Sequence, residues 1–388
     1  MSRSLHAVIL PPGPLLFRRL EAALDGSGPA ICPLSPDLPA PALTRLLDVL
    51  RPSRVETEDG TRRYDCDGGC APGPAVADET AVLIATSGST GTPKVVELSA
   101  TALRHSASAT LARVAAEPGD RWLCCVPTSH IAGIQVLVRS LVAGTDPVIH
   151  PRFDVSRVAG AGAAHVSVVP TQLRRLVDAG VDLSGFRSIL LGGAAPPPDL
   201  VATARSRGGR VFTTYGMSET CGGCVYDGAP LDGVSVEIGA DGRIRLAGPV
   251  LFGGYRLRPE LTAAVRDGAW FVTQDLGVIE DGRLRVRGRA DDVIVTGGEK
   301  VVAGEVAAVL ARHPGVRDVA VVGRSDPEWG QRVTAVVVPG EEPPDLEELR
   351  AWVRAELPAY AAPRQVELVG ELPMLPSGKP DLERLRRA

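Results

Sequence analysis

The feature that most constrains the fold is a repeated junction, a short unbroken apolar run that stops at a glycine-containing segment. Ala81-Val82-Leu83-Ile84-Ala85 runs into Thr86-Ser87-Gly88, Ser188-Ile189-Leu190-Leu191 into Gly192-Gly193, and Val211-Phe212-Thr213-Thr214 into Tyr215-Gly216. Continuous apolar runs of this length predict strands buried on both faces. Helical spacing lies between them. Ser99 is placed to cap a helix with Leu103, Ala107, Leu111 and Val114 on one face. Alternating strands and helices with loops at the strand ends predict an α/β architecture whose ligands bind on those loops.

The texture changes along the chain. Residues 1–75 read as weakly organised, with a helix-like stretch at 43–50 and a Gly/Pro/Cys-rich surface loop at 65–74. From about Leu231, Arg243-Ile244-Arg245-Leu246 and Arg283-Leu284-Arg285-Val286-Arg287 alternate polar with apolar, each after an Asp-Gly turn. Beyond Asp291, strands around 318–322 and 333–338 and a helix started by Asp345 and Glu348 predict a small α+β unit. A chain of 388 residues exceeds one comfortable core. The expected organisation is a large N-terminal domain of layered α/β sheets over 1–290, with a β-rich subdomain at about 231–290. A small, mobile α+β domain over 291–388 would follow.

Composition narrows the function. Net charge −4 argues against nucleic acid or an anionic membrane as partner, so phosphate binding must be local. Two prolines interrupt the apolar start of the chain and no segment is long enough to span a bilayer, which predicts a cytoplasmic protein without membrane insertion. Seven scattered cysteines do not make a disulfide framework. Cys221/Cys224 and Cys66/Cys70 are too far apart in sequence and too unlike in their flanks to read as one zinc site, so structural thiols are expected.

Chemistry concentrates in Thr86-Ser87-Gly88-Ser89-Thr90-Gly91-Thr92-Pro93-Lys94. Glycines let backbone approach a bulky anion, hydroxyls and N–H groups donate, and Lys94 adds a point charge. It is not a Walker A loop, since Pro93 precedes the lysine and Val95 follows it. Further along, Tyr215 offers a flat apolar face and Glu219 an oxygen ligand for a hard cation.

The 86–94 stretch resembles the phosphate-binding signature of the adenylate-forming superfamily, which includes acyl-CoA synthetases, peptide-synthetase adenylation domains and luciferases. Val95 departs from the glycine usual there, and Gln274 from another. Thr213-Thr214-Tyr215-Gly216-Met217-Ser218-Glu219-Thr220 resembles the second ATP motif, with Gly193 and Ala194 beside it. Asp275 and Arg289 match the ribose contacts, Asp291 the hinge, and Gly297-Gly298-Glu299-Lys300 the turn facing the site during thioester formation. Lys379 in Pro376-Ser377-Gly378-Lys379 matches the adenylation lysine. The resemblance covers residue 80 to the end and implies ATP, Mg²⁺ and coenzyme A, with Glu219 and Thr90 as magnesium ligands. It also leaves a homodimer open.

Only about 85 residues precede the phosphate loop, fewer than in most of that superfamily, so the first domain reads as trimmed. Pro127-Thr128-Ser129-His130-Ile131-Ala132-Gly133, Val169-Pro170-Thr171-Gln172-Leu173 and the 214–228 segment are most similar to the o-succinylbenzoate–CoA ligases of menaquinone biosynthesis. This implies a small carboxylic acid substrate, 2-succinylbenzoate. His130, Gly192, Gly297, Gly298 and Lys300 would then lie at the CoA or acyl pocket, with Ser129, Thr171, Gln172 and Ser218 as further polar candidates. Alternatives are another acyl- or aryl-CoA ligase, a stand-alone adenylation domain loading a carrier protein, or a decayed nucleotide-binding protein. The last is opposed by the presence of Glu219, Asp275 and Lys379.

Overall fold

The computed structural model describes residues 2–64, 72–86, 93–375 and 380–387, with only the backbone of Pro198. Two seven-stranded sheets make up the larger part. The first runs Gly254–Tyr255, Lys94–Ser99, Thr80–Thr86, Ala30–Pro33, Leu5–Val8, Arg54–Thr57, Gly60–Arg63. The second runs Val148–Ile149, Trp122–Cys124, His165–Val168, Ser188–Leu191, Val211–Met217, Gly222–Tyr226, Ala229–Pro230. Its first five strands are parallel, and the return strand Gly222–Tyr226 is antiparallel. Strands such as Ser188–Leu191 and His165–Val168 are buried at every residue, as a parallel sheet covered on both faces requires.

The helices Ala100–Val114 and Ile131–Ala143 contribute to one core shared with both sheets, in which Ile84, Leu98, Leu103, Leu137, Trp122 and Val225 are buried. Ser99 caps the first of these helices, its hydroxyl accepting from the Ala102 N–H at 3.1 Å. A second core lies around Leu173, Leu176, Leu183 and Leu200.

The opening of the chain is far more ordered than its sequence texture predicts. Leu5–Val8, Ala30–Pro33 and Arg54–Thr57 are parallel neighbours, linked by helices Pro14–Asp25 and Ala40–Leu50. Four-residue strands carry too little periodicity to be read alone, and Pro14 starts its helix at a position that needs no N–H. The 43–50 expectation falls inside the helix Ala40–Leu50.

A five-stranded sheet follows, with Ser235–Ile238, Arg243–Ala247, Trp270–Glu280 and Arg266–Asp267 in order and Arg283–Arg289 paired to Trp270–Glu280. Residues after 292 build their own sheet from Glu299–Val302, Val293–Thr296, Gly330–Pro339, Val316–Asp326 and Gln365–Leu368. Their core contains Ile294, Val306, Leu310, Val337 and Leu349. Asp345 caps helix Leu346–Arg354 through the Glu348 N–H at 2.8 Å, whereas the Glu348 carboxylate lies 3.2 Å from His313 Nε2. Among the described residues no helix is long and apolar enough to cross a membrane.

Candidate active site

Strand pairing assembles the first constellation. Val211–Met217 carries Tyr215 on its last turn of chain, and the register of the next sheet sets Asp275 opposite Arg289. The Tyr215 hydroxyl donates to Asp275 Oδ2 at 2.8 Å, and Arg289 Nη1 donates to Oδ1 at 3.3 Å. The Asp275 N–H is itself held by Thr273 Oγ1 at 3.0 Å. An ionised carboxylate accepts at about four lone-pair sites, so two remain for a ligand's hydroxyls. Burial, then the Asp275 charge, hold the Tyr215 hydroxyl far above its ordinary pKa, so it stays a donor.

Arg289 also grips Asp291, Nε to Oδ1 and Nη2 to Oδ2, both at 2.8 Å. Burial pushes the Asp291 carboxyl up, but the hydrogen bond and charge of Arg289 outweigh this and hold it below the usual range. Asp291 sits in a single 3₁₀ turn, Ala290–Asp292, between the two larger units of structure.

The second constellation centres on Glu219, in the turn Ser218–Thr220. Thr220 Oγ1 accepts from the Met217 N–H at 2.9 Å and donates to Gly222 O at 2.7 Å, and Phe252 N donates to Glu219 O at 2.9 Å. Gly216 makes the return possible. A Cβ there would lie 2.0 Å from Gly222 O, so only glycine fits the hairpin. The Tyr255 hydroxyl donates to Glu219 Oε1 at 2.8 Å, and Lys94 Nζ stands 5.4 Å from the centre of the Tyr255 ring. Nothing else is bonded to this carboxylate among the described residues.

These residues fit a magnesium ion brought by a nucleotide. Mg²⁺ is usually held by one or two carboxylates plus substrate phosphates rather than by a full protein cage. No cluster of three or more His, Cys, Asp or Glu suited to a metal occurs among the described residues.

The remaining predicted residues fall into four groups. Gly192, Gly193 and Ala194 follow the strand Ser188–Leu191, as expected, and Thr214 Oγ1 donates to Leu191 O at 3.2 Å. A Cβ on Gly192 would meet that hydroxyl at 2.4 Å, so a side chain there would displace the Thr214 hydroxyl from Leu191 O. His130 is exposed at the N-cap of helix Ile131–Ala143, and Gly297, Gly298 and Lys300 are exposed at the Val293–Thr296/Glu299–Val302 hairpin. Thr86 and Lys94 close the phosphate segment at paired positions on neighbouring strands. Ser87, Gly88, Ser89, Thr90, Gly91, Lys379, Cys66 and Cys70 lie outside the described residues.

The Gln172 side chain is engaged at a helix start. Its Oε1 accepts the Val169 N–H at 3.0 Å and its amide reaches Cys125 O, closing the start of helix Pro170–Asp178. Cys221 and Cys224 are free and wholly buried, and burial pushes both thiols up, in keeping with structural thiols.

Three features were missed in the sequence. Tyr255 is one, signalled only by Gly253-Gly254-Tyr255 at a sheet edge. Arg139 is another. It is 4% exposed, bonds Gln135 O at 2.9 Å and Ser167 Oγ at 3.2 Å, stacks 4.2 Å over Trp122, and pairs with no carboxylate among the described residues. Gln135, one turn earlier, has its Oε1 buried without a partner. The third was countable. Of 42 basic residues only three are lysine, and they are Lys94, Lys300 and Lys379. All three fall at positions the motifs single out, and an ammonium is a compact point charge that a planar guanidinium fork does not reproduce.

Residues 15–256 match the family model described as AMP-binding enzyme, and residues 305–379 that of the AMP-binding enzyme C-terminal domain. A protein of Mycobacterium tuberculosis described as a probable 2-succinylbenzoate–CoA ligase is 43% identical over 364 residues, covering 89% of this chain and 94% of that protein. The o-succinylbenzoate CoA synthetase of Bacillus subtilis, solved with the acyl-adenylate intermediate OSB-AMP, is similar with a TM-score of 0.85 at 27% identity, over 99% of this chain and 88% of that one. An amide bond synthetase of Marinactinospora thermotolerans gives 0.87 at 27% identity, over 100% of this chain and 90% of that one.

Proposed function

Because this chain belongs to the AMP-binding enzyme family, we propose that it activates 2-succinylbenzoate with ATP and transfers the acyl group to coenzyme A. The observation that carries the reading is the Tyr215–Asp275–Arg289 bracket, with Glu219 four residues after Tyr215, in a chain 43% identical to a relative described by that reaction.

A carboxylate resists attack because its leaving group would be oxide. Here one of its oxygens attacks the α-phosphorus of ATP, the bond to pyrophosphate breaks, and a mixed anhydride with AMP results. The enzyme's share is positioning and charge stabilisation. Tyr215 faces the adenine, and the free acceptor sites of Asp275 take the ribose hydroxyls, with Arg289 steadying the carboxylate. The 86–94 segment and Lys94 hold the phosphates. Glu219 would hold a magnesium ion brought by the nucleotide, which would supply neutralisation of charge on the departing pyrophosphate. Lys379 stabilises negative charge around the reacting carboxylate. Rotation about Asp291 then exchanges Lys379 for the 297–300 turn. The CoA thiol, giving up its proton, attacks the acyl carbonyl, and AMP leaves.

The test is incubation with ATP, Mg²⁺, CoA and a panel containing 2-succinylbenzoate, benzoates, succinate and medium-chain acids, with AMP and thioester followed by mass spectrometry. Turnover confined to 2-succinylbenzoate is expected. Turnover only with another acid would overturn the substrate, and absence of AMP with every acid would overturn the chemistry.

A further inference from the structure

Tyr255 touches both groups assigned to the polyphosphate end of ATP. The strand Gly254–Tyr255 pairs antiparallel with Lys94–Ser99, Tyr255 opposite Val96, which brings its ring beside the Lys94 side chain. Its hydroxyl reaches out of that sheet to Glu219 Oε1, in the turn that ends a strand of the other seven-stranded sheet. The ring cannot wander. It is 6% exposed, packs 4.9 Å from Phe252, and its backbone N–H is taken by Thr262 Oγ1 at 2.9 Å. The Glu219 backbone is tied to the same segment through the Phe252 N–H.

We infer that Tyr255 is a positioning residue, whose hydroxyl orients Glu219 toward the nucleotide's magnesium ion while its ring fixes Lys94 at a set distance across the polyphosphate. The inference rests on the proposed roles of Glu219 and Lys94. One carboxylate oxygen is occupied by the phenol, so the other is presented in one orientation. A carboxylate left to rotate would lose that entropy on each binding event. The aromatic face under the ammonium contributes a further restraint. Neither contact involves the adenine or ribose bracket.

The prediction is therefore a separation between ligands. Isothermal titration of the intact protein uses Mg²⁺·ATP, ATP with chelator, and AMP with chelator, on wild type, Tyr255→Phe and Tyr255→Leu. In Tyr255→Phe the ring stays, so AMP and metal-free ATP should bind as in wild type. Affinity for Mg²⁺·ATP should fall about tenfold, and the Mg²⁺ concentration for half-saturation should rise by a similar factor, the scale usual for losing a group that orients a metal ligand. Tyr255→Leu should also weaken metal-free ATP relative to AMP, through Lys94.

Equal losses for all three ligands would show a merely structural role and overturn the inference. Unchanged Mg²⁺ dependence in Tyr255→Phe, with wild type binding Mg²⁺·ATP more tightly than metal-free ATP, would overturn it while leaving the proposed function intact. A wild type indifferent to Mg²⁺ would overturn the role of Glu219 and the inference together.

Discussion

Arg289 and Asp291 form a two-point ion pair, with both N···O distances at 2.8 Å, and the same guanidinium reaches Asp275 at 3.3 Å. One arginine thus joins the residue assigned to the ribose with the residue assigned to the hinge.

Arg289→Leu should lower AMP affinity. A hydrogen bond to a charged group contributes about 1.5–3 kcal/mol, and the half-exposed side chain places this one at the low end, about tenfold. Titration calorimetry measures it, and unchanged affinity would remove Arg289 from the bracket.

Arg139→Met should hold or raise the melting temperature. Arg139 is 4% exposed and pairs with no carboxylate among the described residues. Replacing a buried charge by an apolar side chain of similar size is often neutral or stabilising. Thermal denaturation of both proteins checks this, and a fall of several degrees would show that the bonds to Gln135 O and Ser167 Oγ outweigh the cost of burying the charge.

Lys379→Ala and Gly298→Val should divide the two half-reactions. The lysine variant should lose roughly 10²–10³ in adenylate formation and still convert supplied acyl-adenylate to thioester. The glycine variant should do the reverse, because Gly298 holds φ +84°, a conformation in which a β-branched side chain is strained. Pyrophosphate release and thioester formation, measured separately, decide the matter. Equal losses in both assays would refute the two-position scheme.

Acid should weaken the fold at His165. This ring is fully buried between Asp120, 3.1 Å from Nε2, and Ser188, 2.8 Å from Nδ1, and stacks on Trp122. Burial, only partly offset by Asp120, lowers its pKa from the ordinary value of 6.5. The unfolded chain therefore binds the proton first. The stability this neutral ring contributes is present above 6.5 and is lost as pH falls toward its lower folded value. Urea midpoints at pH 7.5 and 5.5 should differ more for wild type than for His165→Asn. An equal difference would place the acid sensitivity elsewhere.

Much of the site was legible because its residues sit within single loops. Tyr215 and Glu219 lie four apart on a strand end, and Lys94 follows a glycine-rich run, so local order sufficed to single them out. The N-terminal βαβ units were not legible. Strands of four residues with prolines at their borders show no period long enough to count, and only pairing with Thr80–Thr86 makes them a sheet.

What the chain alone determined was the chemistry on offer: buried strands feeding anion-binding loops, one carboxylate for a hard cation, and lysine kept at three places among arginines. Tertiary structure decided which groups work together. Tyr255 meets Glu219 from 36 positions away, Tyr215 meets Asp275 from 60, and Arg139 lies in the core with no carboxylate paired to it among the described residues. Those relations depend on sheet register and on burial, which set distance and desolvation, and neither is written in the local order of residues.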